Sequence, residues 1–132
     1  MPVSTLVSNV RRILEGIRVT HGPFVLAMLY SSSEEEGTGW NLIISAPWAD
    51  QVGVDTATSE VIHALSLDLS LENRSAIARV TVLPTSDPFV REVTTNFNIS
   101  SPGTEQAVRN LTADGVPIGS GHIFFSQQLT PA

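Results

Sequence analysis

A chain of 132 residues, 42% apolar and 15% charged, is long enough to enclose one hydrophobic core and too apolar to remain disordered. Thirteen acidic side chains against seven arginines give a net charge of -6, which disfavours nucleic-acid backbones and anionic membranes as partners. Lysine and cysteine are both absent, so Schiff-base chemistry, a P-loop lysine, thiolate nucleophiles, disulfides and cysteine-held metal centres are excluded within this polypeptide.

In chain order, Leu6, Val7, Val10, Ile13, Leu14 and Ile17 line one face of a helix predicted over residues 5–19, with Ser4 as its N-cap and Gly22-Pro23 as its stop. The run PFVLAMLY, residues 23–30, reads as a strand buried on both faces. An acidic Ser- and Gly-rich stretch, 31–39, comes next as a mobile loop. Residues 40–46 then alternate, with Trp40, Leu42, Ile44 and Ala46 on one face and Asn41, Ile43 and Ser45 on the other, so the two strands form a hairpin. Asp55 or Thr56 caps a second helix whose apolar face carries Ala57, Val61, Ile62 and Leu65. The leucines from Leu65 to Leu71 alternate as in a strand, but cap and helical spacing precede them and decide for helix.

Residues 78–83 form a third strand, ended by Pro84. Ser86-Asp87-Pro88 is a helix-start signature, and Phe89, Val90, Val93 and Phe97 supply that helix with an apolar face. Asp114-Gly115 marks a turn, Gly119-Ser120-Gly121 and Gly37-Thr38-Gly39 read as further turns, and residues 122–126 read as a closing strand. Residues 129–132 are expected to fray. The sum is a single α+β domain over residues 1–132 with a mixed sheet, helices mainly on one face, and the order αββαβα before a β-rich end.

The first twenty residues hold Arg11, Arg12, Glu15 and Arg18 in an amphipathic pattern without a cleavage site, which is unlike a secretory signal. The longest apolar run, 24–30, falls far short of the roughly 20 residues of a spanning helix. A cytoplasmic location is therefore expected, and the sequons at Asn73, Asn98 and Asn110 are read as chance.

The order of strand, Ser-rich turn, strand, helix and strand resembles the minimal nucleotidyltransferase fold, in a region from Val10 to about Phe97. That resemblance implies a nucleotide site with magnesium held by paired carboxylates, but Gly39 and Asn41 stand at those positions, and the third strand offers Arg79, Thr81 or Leu83 in place of a third carboxylate. The segment WNLIISAPW, residues 40–48, with Asp50 after it, is also similar to small bacterial proteins of unassigned function that carry W-x-L-[IV]-[IV]-S-A-P-W. It brings no activity with it.

No metal site is expected, because His21, His63 and His122 share no ligand spacing, and no G-x-S-x-G elbow exposes a serine nucleophile. A set of Asp50, His122 and Ser126 would require all three within hydrogen-bond reach, His122 and Ser126 sharing a strand face by parity. No cofactor and no catalytic residue is assigned. The expected function is a non-enzymatic domain acting through self-association, as a homodimer, or through another protein. The alternative is a small-molecule or nucleotide-binding module. The candidate interface or ligand patch is Trp40, Asn41, Pro47, Trp48, Asp50 and His122, with Trp48 plugging the edge of the core or facing a partner. The adjacent Phe124 and Phe125 should face opposite sides of their strand.

Overall fold

The computed structural model describes residues 3–31, 39–70, 74, 76–99 and 106–127. The acidic stretch 32–38, expected to form a mobile loop, and the tail 129–132, expected to fray, lie outside the described residues. The elements are α1 (Val3–His21), β1 (Leu26–Ser31), β2 (Trp40–Ser45), α2 (Pro47–Val52), α3 (Val54–Asp68), β3 (Ile77–Val82), α4 (Pro88–Asn96), β4 (Gln106–Ala113) and β5 (Val116–Ser126). The strands form one five-stranded mixed sheet in the order β3-β2-β1-β5-β4. Only the β2–β3 pair is parallel. It is an α+β domain.

β1 is apolar on both faces because both are covered. Ala27 and Leu29 face α1 and α3, in a core that also holds Leu6, Val10, Leu14, Trp40, Leu42, Ile44, Val61 and Leu65. Leu26 and Met28 face α4, in a second core with Ile43, Phe89, Val93, Ile118 and Ile123. α1, α2 and α3 thus lie over one face of the sheet, and among the described residues α4 is the helix on the other. The hairpin of β1 and β2 is antiparallel as expected, with Leu29 opposite Leu42.

Several local expectations change. α1 runs from Val3, so Ser4 falls within its first turn and not ahead of it. Pro47 does more than end β2: its fixed φ suits the first turn of a helix, and it opens the short α2. Gly53, at φ 96°, then separates α2 from α3, a backbone state that favours glycine, so α3 begins ahead of the expected Asp55 or Thr56 cap. Ile62 is half exposed, on the border of the face that buries Val61 and Leu65. Asp87 caps α4 by accepting a hydrogen bond from Phe89 N at 2.9 Å, as Ser86-Asp87-Pro88 announces.

At the C-terminal end, Asp114 (φ 48°) and Gly115 (φ 75°) make a two-residue hairpin turn between β4 and β5. Gly119-Ser120-Gly121 is not a turn. It lies inside β5, where Gly121 leaves room for Val108 and Ile118. The register of β5 against β1 slips between Ala27 and Met28, which pair with Phe125 and Ile123. The slip is a bulge at Phe124, and it places Phe124 and Phe125 together in the α1-side core, against simple alternation.

Ser45 is fully buried, and its hydroxyl has no partner among the described residues. An unpaired buried hydroxyl is a net cost, so Ser45→Ala is expected to raise stability by about 1 kcal/mol in urea denaturation. A loss of stability would mean that the hydroxyl is satisfied.

Candidate functional site

The six patch residues do not form one surface. Trp40 is completely buried at the start of β2, its ring centroid 5.7 Å from that of His122 on β5, so these two do meet, on the α1 side of the sheet. Trp48 is 8% exposed, and its indole stacks on His21 at 4.6 Å and meets the edge of Phe24 at 6.5 Å. Phe24 in turn packs on Phe125 at 5.4 Å, so an aromatic string ties the end of α1 to α2, the entry to β1, and β5. Both tryptophans are core residues of this chain. Pro47 is the first residue of α2. The Asp50 carboxylate receives hydrogen bonds from Thr85 N at 3.2 Å and Thr85 Oγ1 at 2.6 Å, a clamp between α2 and the turn before α4.

The arrangement of Asp50, His122 and Ser126 is also dissolved. The Phe124 bulge turns Ser126 to the α4 side, where its Oγ donates to Phe97 O at 2.8 Å, while His122 stays on the α1 side beside Trp40. Asp50 is held by Thr85. Among the described residues no group of three or more His, Cys, Asp or Glu could hold a metal ion. No helix among them is long and apolar enough to cross a membrane.

Asn41 leads elsewhere. It pairs with Tyr30 on β1 and with Arg79 on β3, so Tyr30, Asn41 and Arg79 form a polar row across three strands on the α4 side. The next row is Met28, Ile43 and Thr81. Beside these rows opens a concavity of about 250 Å³ whose floor is sheet and whose walls are α4 and the β4–β5 turn. Arg79 and Thr81 line it from β3, Tyr30 from β1, Asp87 and Phe89 from the start of α4, and Asp114 from the turn. Sequence reading named Arg79 and Thr81 only as residues that are not carboxylates, and missed Tyr30, Asp87 and Asp114. One signal was available: the Tyr30 hydroxyl is the only polar group in the run 23–30.

Two grooves lie on the α1 side. One, about 280 Å³, runs between α3 and β3, lined by Ile62, Leu65, Leu69, Ile77 and Val80 and rimmed by Arg74 and Arg79. The other, about 420 Å³, lies between α1 and α3, where His21 Nε2 approaches Glu60 Oε2 at 3.6 Å. Compared with known protein families, with curated proteins and with solved structures, the chain matches none.

Proposed function

We propose that this chain is a self-associating domain that forms a homodimer through the open edge of β3. The observation that carries the reading is a juxtaposition: an edge strand with no further strand beside it among the described residues, bordered by the apolar groove that α3 leaves beside it. Leu83 N donates to Ile44 O at 2.9 Å, so alternation turns the backbone groups of Val80 and Val82 away from β2 and toward the open side. β3 holds Ile77, Val80, Thr81 and Val82, all β-branched, and no proline. The opposite edge, β4, is interrupted by Asn110 in the left-handed region at φ 56°.

A second copy fits β3 best through an antiparallel, two-fold pairing. With the axis at Val80, each Arg79 faces a Thr81 and not the other Arg79, so like charges do not meet head-on. Ile62, 50% exposed on the groove rim, then gains cover. A cytoplasmic setting belongs to the same reading and rests on the sequence alone.

Ile62→Glu tests this without touching a buried position. Sedimentation equilibrium is expected to find a dimer for the parent and a dissociation constant raised at least tenfold, about 1.4 kcal/mol, for the variant, with circular dichroism unchanged. A parent that is monomeric at about 100 µM, where a complex of even −5.5 kcal/mol would be half formed, overturns the reading.

A second reading, a ligand-binding module similar in layout to the nucleotidyltransferase fold, is supported by the order β1, β2, α2 with α3, β3 and by the polar row through Asn41. The neutral amide of Asn41 does not supply the charge that a magnesium pair requires, so this reading keeps binding and drops the metal chemistry.

A further inference from the structure

We infer that the concavity on the α4 side binds a free amino acid in its zwitterionic form, with the side chain an apolar one. The site presents opposite charges that do not close on each other. Arg79 lines it from β3, Asp87 and Asp114 from the far walls, yet the guanidinium makes no ion pair within 4.0 Å and no hydrogen bond among the described residues. The hydroxyls of Tyr30 and Thr81, which also line the concavity, are likewise without a protein partner among the described residues. Asp87 spends one oxygen, Oδ1, on capping Phe89 N, which leaves Oδ2.

A space of about 250 Å³ lined by one cationic group, two anionic groups and the apolar Ile43, Phe89 and Val116 is complementary to a dipole carrying a hydrocarbon group. The guanidinium is a planar fork matched to a carboxylate. An ammonium belongs near Asp87 and Asp114, and an aromatic or branched side chain belongs against Phe89. Polyphosphates are disfavoured, since the two carboxylates outnumber the one arginine. An amine without a carboxylate would leave Arg79 unanswered.

The site opens on the α4 side and the groove of β3 and α3 on the other, but the two share Arg79, which borders both and which the β3 pairing sets beside the partner's Thr81. Binding is therefore measured on the Ile62→Glu variant, whose β3 edge is left unpaired, as well as on the parent, so that a site covered in the dimer is distinguished from a site that does not bind. The probe is L-phenylalanine, titrated to about 10 mM into the ¹⁵N-labelled chain, a range that detects binding as weak as about −3 kcal/mol. The expected result is saturable shifts at the amides of Asn41, Thr81, Phe89 and Val116.

N-acetyl-L-phenylalanine, which lacks the ammonium, and L-phenylalaninamide, which lacks the carboxylate, are each expected to bind at least tenfold more weakly. Arg79→Gln and Asp114→Asn should each weaken L-phenylalanine about tenfold. Asparagine tolerates the positive φ of Asp114, so the second variant keeps the turn while removing the charge. Absence of shifts, shifts centred on another face, or an amide that binds as tightly as the free acid each overturns the inference.

Discussion

Trp48→Ala is expected to destabilise the folded chain by about 3 to 5 kcal/mol, the cost of emptying a packed aromatic site that cannot collapse around the loss. The site is walled on several sides: His21 stacks on one face of the indole, Phe24 meets its edge, Gly22 lies close enough that an added Cβ would sit 3.9 Å from Cδ1, and α2 holds the backbone in place. For a domain of this length that cost lowers the melting temperature by about 10 °C or more. Trp48→Phe should cost less than half as much, because it retains a ring, and the indole N–H it removes has no acceptor among the described residues. Thermal denaturation followed by circular dichroism measures both. A Trp48→Ala protein that melts with the parent would mean that the aromatic string does not hold the α2 corner.

Gly121→Val is expected to cost about 3 kcal/mol, by the opposite mechanism of overpacking. A Cβ at this position would lie 2.9 Å from Val108 Cγ2, 3.2 Å from Ile118 Cγ2 and 3.4 Å from Leu29 O, and the last of these is backbone and cannot turn aside. The glycine is in the middle of β5, on the row that continues from Tyr30 to Val108. Val108→Ala in the same chain removes the nearest obstacle and should recover about 1 kcal/mol in a double-mutant cycle. Urea denaturation of the parent, the two single variants and the double variant is the measurement. Additive costs would show that Val108 is not what the new side chain strikes.

Elements whose signal is local were legible in the sequence. The helical spacing from Leu6 to Ile17, the cap at Asp87, the alternation of β2 and the Asp114-Gly115 turn all lie within a few residues of one another, and the structure has each of them. The candidate site was not legible, because what assembles it is register. Tyr30, Asn41 and Arg79 become neighbours only once β1, β2 and β3 are paired, and no local pattern states that pairing. Parity misled for a related reason. One bulged residue, Phe124, inverts the facing of everything after it in β5, so His122 and Ser126 part company and Phe125 turns to the α1-side core. Trp48 resembles an interface residue in sequence because Pro47 interrupts the strand, but the helix that Pro47 opens folds the ring inward.

The strand order carries a consequence for how the chain reaches this state. Among the described residues β5 is the last strand in sequence, yet it stands next to β1, one place in from the edge of the sheet. Until residues near 126 have emerged from the ribosome, β1 has one edge of backbone groups unpaired, and the cores around Leu26, Ala27, Met28 and Leu29, all fully buried in the finished fold, lack Ile118, Ile123, Phe124 and Phe125. Loop closure between Ala27 and Phe125 must precede the contacts that reward it, which makes the sheet a late and slow event. During synthesis the nascent chain therefore offers its most apolar strand as a half-finished hairpin, and that interval, more than the stability of the completed domain, is when it is most exposed to aggregation and most in need of a chaperone.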